Sequence, residues 1–264
     1  VSLYYYDNDG WDDITIASKG GDPVRFFKNN NGFLIEEFYS LNITGHSKQV
    51  IWVDYDNDGD NDLFVTRLDD INLLFQNDGN LNFTDVTLAS GFTNTSTLFT
   101  YGATFGDIDN DGFLDLFLSN KDVIGSMPNK LYYNNGDGSF LDISVSAGIS
   151  QSGHATFCSV FFDYNNDGFQ DIYMSNDRFN NTNILYHNNG NNTFTDVSFS
   201  SGTDIAANAM STTIDDFNYD GWLDIYITNT IEGKYLLKNN GNGTFTDIAS
   251  ASGTSFNSIG WGAN

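Results

Sequence analysis

Short apolar runs of about five residues recur along the whole chain, each stopped by a cluster of Asp, Asn and Gly. Four of them follow one another in "QVIWV" (49–53), 63–67, "NLLFQ" (72–76) and 83–87. Runs of this length, bounded by turn residues, predict β-strands. An acidic loop joins the first run to the second. A turn rich in Asn and Gly joins the third to the fourth, and such turns between apolar runs predict hairpins. No segment carries a helical apolar period over ten or more residues.

The pattern repeats. The acidic loops read "YYDNDGWDD" (5–13), "DYDNDGDND" (54–62), "DIDNDGFLD" (107–115), "DYNNDGFQD" (163–171) and "DFNYDGWLD" (216–224). Their glycines, Gly10, Gly59, Gly112, Gly168 and Gly221, are 49, 53, 56 and 53 residues apart. A second element keeps phase, as in "LLFQNDGNLNFTDVT", "LYYNNGDGSFLDIS", "LYHNNGNNTFTDVS" and "LLKNNGNGTFTDIA". Its asparagines, Asn239 and Asn240 among them, read as turn residues. Four strands in each unit, with no linkers between units, predict an all-β fold: a β-propeller of four-stranded antiparallel blades. Units this small could not each bury a core alone, so residues 1–264 are expected to form one propeller domain or propeller fragment. The closing "IGWGAN" (259–264) matches "FTYGAT" (99–104), the start of another first strand. Five blades of a larger ring, for example a seven-bladed one, are therefore expected in preference to five that close on themselves.

Composition narrows the function. There are 35 acids against ten Lys and Arg, for a net charge of −25, and only Glu36, Glu37 and Glu232 among the acids are not Asp. Asp is the short-tethered acid of turns and oxygen cages. Phosphate recognition needs Lys and Arg, so neither nucleic acid nor an anionic membrane surface is expected as a partner. No apolar stretch approaches the ~18 residues of a membrane span. No signal peptide is visible, and the opening "VSLYYYDNDG" already reads as the inside of a unit, as in a processed or partial chain. The single cysteine, Cys158, cannot form an internal disulfide and reads as a buried structural thiol in an apolar strand.

The loops follow D-x-[DN]-x-D-G-x-x-D. Carboxylate or amide oxygens at positions 1, 3, 5 and 9, with Gly at 6 for a left-handed turn, place hard oxygens around one point, which suits Ca²⁺ over Mg²⁺ or zinc. Position 12 holds strand residues (Val65, Leu118, Met174, Ile227), not the bidentate Glu of an EF-hand. Four loops are complete: Asp54, Asp56, Asp58 and Asp62; Asp107, Asp109, Asp111 and Asp115; Asp163, Asn165, Asp167 and Asp171; Asp216, Asn218, Asp220 and Asp224. The first has Tyr5 in place of an Asp, leaving Asp7, Asp9 and Asp13 as a weaker set. Four to five calcium ions are expected.

These loops resemble the calcium loops of FG-GAP/VCBS-type propeller repeats, as in integrin α-subunit heads. The whole unit, "DYDNDGDNDLFVT…LLFQNDGNLNFTDVTLASGF", is most similar to ASPIC/UnbV and cartilage-acidic-protein relatives. The resemblance covers essentially the whole chain, although the ASPIC/UnbV C-terminal domain is missing. It implies an extracellular, cell-surface or periplasmic propeller used for interaction or adhesion and not for catalysis, with a protein or glycan partner on the face opposite the calcium loops. The variable loops of that face point the same way, since function is grafted on variable loops. "RFNN" (178–181) and "VIGSMPN" (123–129) are expected contacts, with Arg178, Phe179 and Met127 as anchors. A carbohydrate-binding or carbohydrate-active propeller (a lectin or lyase) and a structural spacer are the alternatives; converging basic and aromatic residues on the variable face would favour the former. His46 and His154 stand before first strands and read as structural. His187 stands where other units carry Gln76, Asn134 and Lys238, and reads as an exposed strand-end residue. Six Asn-x-Ser/Thr sequons, at Asn42, Asn82, Asn94, Asn180, Asn191 and Asn242, are expected by chance in so Asn-rich a chain.

Overall fold

The computed structural model describes residues 1–264 except 8, 21, 44, 93–98, 122–126, 150–152 and 263–264. Among the described residues the strands form five four-stranded sheets, one for each sequence repeat. The first contains β1 (Ser2–Tyr4), β2 (Asp13–Ile16), β3 (Arg25–Asn30) and β4 (Phe33–Glu37). The second contains β5 (Ser47–Val53), β6 (Asp62–Arg67), β7 (Leu73–Asn77) and β8 (Phe83–Asp85). The third contains β9 (Thr100–Gly106), β10 (Asp115–Asn120), β11 (Lys130–Asn134) and β12 (Phe140–Asp142). The fourth contains β13 (Thr156–Phe162), β14 (Asp171–Asn176), β15 (Ile184–Asn188) and β16 (Phe194–Asp196), and the fifth β17 (Thr212–Asp215), β18 (Asp224–Ile227), β19 (Tyr235–Asn239) and β20 (Phe245–Asp247). One-turn helices α1 (Ser198–Ser201) and α2 (Ala249–Ser252) follow β16 and β20.

Each strand pairs with the next in sequence, giving the antiparallel meander of a propeller blade. The register repeats as well: Phe64 faces Leu74, Tyr173 faces Leu185 and Tyr226 faces Leu236. The second strands β6, β10 and β14 are buried along their whole length. Covered on both faces, they read as continuous "DLFV", "DLFL" and "DIYM" instead of alternating. The fourth strands of the last three sheets bury their Phe and expose the next two residues. Hairpin order therefore puts each acidic loop and each Asn-Gly turn at the same end of their sheet, and the loop between second and third strands at the other.

By their internal packing, residues 1–103 with 133–141 form one compact unit, and 104–132 with 142–264 form another. In the first, Tyr6 stacks on Trp52 with ring centroids 4.9 Å apart, and Phe26 meets Tyr39 edge-on at 5.0 Å. These rings close over Leu63, Val65 and Phe75. The indole N–H of Trp52 is satisfied by the Thr15 hydroxyl at 2.9 Å, as a buried Trp requires. In the second unit, Phe162, Tyr164, Tyr173 and Leu185 of the fourth repeat pack on Ile225, Ile227, Leu237 and Phe245 of the fifth. Neighbouring sheets are also stitched by backbone. The Phe194 N–H donates to Ala147 O at 2.7 Å in the second unit, and Phe140 N–H to Ser90 O at 2.9 Å in the first. Glycine is needed beside these stitches: a Cβ on Gly91 would lie 2.5 Å from the Phe140 oxygen.

Candidate metal centres

The acidic loops are wound by their own side chains. In four of them the first-position carboxylate accepts the N–H of the sixth-position glycine: Asp54 from Gly59 at 3.1 Å, Asp107 from Gly112 at 3.0 Å, Asp163 from Gly168 and Asp216 from Gly221 at 2.8 Å. The fifth-position acid accepts the N–H of residue 7, as Asp111 does from Phe113 at 2.8 Å. Gly59, Gly112, Gly168 and Gly221 have φ near +90°, and Asn57, Asn110, Asn166 and Tyr219 at position 4 are left-handed too. Two left-handed residues in three curl the chain tightly, and Asn is the non-glycine residue best suited to that conformation.

The ninth-position Asp does something the motif did not reveal. Asp13, Asp62, Asp115, Asp171 and Asp224 are all but fully buried. One Asp62 oxygen accepts Asn77 N–H at 2.8 Å, across the sheet, and the other Tyr55 N–H at 3.3 Å. Asp13 and Asp171 hold the same two amides in their own repeats. This residue fastens the loop to the third strand. Burial pushes the Asp62 carboxyl up to about 7 against the pull of those amides, and raises Asp13, Asp54, Asp171 and Asp224 likewise. A cation relieves that cost by favouring the ionised form.

The third strand ends in an asparagine that also reaches beyond its own repeat. Asn188 Nδ2 donates to Ile108 O and Asn239 Nδ2 to Tyr164 O, both at 2.8 Å; in the first unit Asn134 Nδ2 donates to Tyr55 O at 2.8 Å. Each acceptor is the second residue of the preceding acidic loop. Each Asn Oδ1 meanwhile accepts the N–H of its own turn glycine, Gly136, Gly190 or Gly241, at 3.0 Å. Asn239, which reads from sequence as a turn residue, is buried for this reason.

Two loops bring carboxylates to one point. One oxygen each of Asp54, Asp56 and Asp58 lies within 4.8 Å of the others, and so it is for Asp107, Asp109 and Asp115. Asp54 Oδ1 and Asp109 Oδ1 are buried without a protein hydrogen-bond partner. A buried carboxylate oxygen left unpaired is costly, and its position beside two further carboxylates is what a hard cation with oxygen ligands would satisfy. The residues of these two loops fit calcium.

The other loops differ through a residue outside the motif. On the third strand, just before the residue whose N–H binds the ninth-position Asp, Lys28 forms an ion pair with Asp7 and lies 3.5 Å from Asp9. Lys238 lies 3.3 Å from Asp220. His187 Nδ1 lies 3.2 Å from Asp171 and 4.0 Å from Asp167. In the second repeat the equivalent Gln76 donates to Asp56 at 2.7 Å. His187 is thus half-buried against its acidic loop and not an exposed strand end, and its counterpart in the third repeat is Tyr133, not Asn134. Alignment on apolar runs alone slipped by one residue, because "YYNNG" offers two Asn where a strand ends. Tyr5 is largely exposed and stacks on Tyr4 with centroids 4.9 Å apart.

A repeat of four strands carrying a loop of this chemistry decides the family. A model of the FG-GAP-like repeat matches residues 6–65, 54–118, 121–174, 163–227 and 216–264. The chain belongs to the FG-GAP-like repeat family. No match was found among curated proteins. Among solved structures, the FG-GAP-like chain is similar to a lectin of Agrocybe aegerita that recognises non-reducing terminal N-acetylglucosamine. The TM-score is 0.56 at 17% identity, over 92% of this chain and 63% of that one. It is similar also to the Vibrio cholerae biofilm matrix protein Bap1, with a TM-score of 0.53 at 16% identity, over 93% of this chain and 37% of that one. The FG-GAP-like chain therefore spans less than two thirds of either. At these identities the likeness is one of fold.

At the other end of the sheets, Phe179 is 48% exposed and Arg178 has φ of 89°. Met127 is half-buried, and positions 123–126 of the second expected contact loop lie outside the described residues. Cys158 is half-buried with Sγ 3.9 Å from the Thr212 hydroxyl, and burial raises its pKa. No described helix is long and apolar enough to cross a membrane.

Proposed function

We propose that this FG-GAP-like chain is a calcium-stabilised interaction module that works outside the cytosol and does not act as an enzyme. The partner, protein or glycan, meets the ends of the sheets away from the acidic loops. The observation that carries the calcium reading is the pair of partnerless buried oxygens, Asp54 Oδ1 and Asp109 Oδ1, each within a convergent carboxylate cluster. The loops of Asp54 and Asp107 are the primary sites. Those of Asp163 and Asp216 follow, and the Tyr5 loop, with Asp7 and Asp9 already facing Lys28, is last. Extracellular calcium modules bind with Kd of roughly 10⁻⁴–10⁻³ M, so such sites fill outside cells and stay empty at cytosolic calcium.

At about ten times its Kd, one calcium adds about 1.4 kcal/mol. Two sites then supply about 3 kcal/mol of a total of roughly 5–15 kcal/mol. Excess EDTA should lower the melting temperature, and elemental analysis should find at least two calcium ions per chain. A melt indifferent to EDTA, with no calcium bound, would rule the reading out. Recovery of the native protein in the soluble cytosol would rule out its location.

A further inference from the structure

Among the described residues, six of the ten Lys and Arg are paired with a carboxylate: Arg25, Lys28, Arg67, Lys121, Lys130 and Lys238. Lys234 is spent on backbone carbonyls of Asn229, Phe256 and Ser258. Lys19 and Lys48 have no carboxylate within ion-pair distance, yet both line one pocket of about 230 Å³ with Ser18, His46, Ser47 and Leu68. In a chain with 35 acids and ten such cations, two lysines without a carboxylate lining one pocket is an arrangement that suits an anion.

The rest of the lining suits one. Ser18 and Ser47 are each 7% exposed. Their hydroxyls are 3.4 Å apart, a long hydrogen bond that uses one hydroxyl proton and leaves the other for a ligand. The Lys48 ammonium is held 4.8 Å from the centroid of the Tyr101 ring, a cation–π contact that fixes the charge without neutralising it. Asp69 is the acid beside the pocket. It is engaged by His46, accepting its N–H at 3.0 Å, with a carboxylate oxygen 4.0 Å from Nδ1. The pocket lies where β2 ends, β5 begins and β6 ends, at the end of these two sheets away from the acidic loops.

We infer that this pocket binds a small oxyanion, a carboxylate or a sulfate ester, carried on a saccharide. A volume below the roughly 300–1,000 Å³ of drug-sized sites is the size of one sugar unit and exceeds a bare anion. The inference rests on reading the chain as an interaction module and adds the chemistry of what it takes.

The test is titration of calcium-loaded protein, in buffer free of phosphate, with glucuronate, inorganic sulfate and glucose, followed by amide chemical shifts. Saturable binding of glucuronate or sulfate but not glucose is expected, with shifts at Ser18, Lys19, His46, Ser47 and Lys48. A preference between the two anions assigns the natural group as carboxylate or sulfate. Lys19→Gln with Lys48→Gln should weaken binding at least tenfold at an unchanged melting temperature, while Lys130→Gln, which removes a cation outside the pocket, should bind as the parent does. No saturable binding, equal binding of glucose, shifts confined to the acidic loops, or an undiminished affinity in the double variant would each overturn the inference. Calcium dependence of the melt is read on the same samples. Loss of anion binding with that dependence intact sinks this inference alone, and the reverse result sinks the calcium reading alone.

Discussion

The acidic loop before β6 and the one before β18 wind alike: the same left-handed fourth and sixth residues, the same glycine amide on the first Asp, and a buried ninth Asp holding the third strand. They differ in charge. The first has carboxylates at all four motif positions, a neutral Gln76 and a partnerless Asp54 oxygen. The second has Asn218 at position 3, its amide bonded to Asp224 at 3.2 Å, and the Lys238 ammonium on Asp220. The first has no protein cation on its carboxylates among the described residues, whereas the second has one built in. Shape and charge are thus set by different residues, and a loop can keep the motif while its demand for metal falls.

The comparison is tested most severely through the ninth Asp, whose work is common to both loops. Asp62→Ala and Asp224→Ala each strand backbone amides that water cannot reach. At about 1–3 kcal/mol per unmet buried group, each should cost about 4 kcal/mol by denaturant unfolding, with or without calcium. Asp54→Asn keeps an acceptor for Gly59 and should cost about 1.4 kcal/mol with calcium and almost nothing in EDTA. If Asp62→Ala is harmless once calcium is removed, the ninth Asp is only a ligand and the division of labour is wrong.

A smaller effect is expected from Asn239→Ala, which frees the carbonyls of Tyr164 and Leu223 and the N–H of Gly241. A loss of about 2 kcal/mol, independent of calcium, would confirm a latch. Asn240→Ala, one residue on and exposed, should fall within about 0.5 kcal/mol of the parent. Equal effects would make both plain turn residues.

The smallest shift sharpens the comparison most. Lys238→Gln should tighten the fifth loop about tenfold for calcium, or about 1.4 kcal/mol, and Gln76→Lys should weaken the second loop by as much. Calorimetric titration with calcium reads both. Unchanged affinities would mean that the ammonium stays out of the site when calcium enters.

How much of this could be read beforehand depends on how far apart the cooperating residues lie. Strands, turns and loop spacing are local: five residues of "QVIWV" suffice to call for a strand, and nine of "DYDNDGDND" to curl an oxygen-lined loop, because backbone sterics and Asx hydrogen bonds act over a few residues. The five sheets follow the five repeats for that reason. The latches were not legible in that way. Asn188 meets Ile108 from 80 residues away and Asn239 meets Tyr164 from 75, and nothing in "NNG" says which Asn points inward.

By itself, the sequence determined an all-β repeat with oxygen-rich loops at one end of each sheet, since those features need only short apolar runs, glycine at a left-handed position and Asp at fixed intervals. Which loop carries its own cation, which Asp fastens its loop to the third strand, and that Lys19 and Lys48 share a pocket were decided by tertiary structure alone. Each depends on strand register, and a shift of one residue sends a side chain to the opposite face of its sheet. Lys238 reaches Asp220 only because β19 pairs with β18 in the register that sets Leu237 against Ile225.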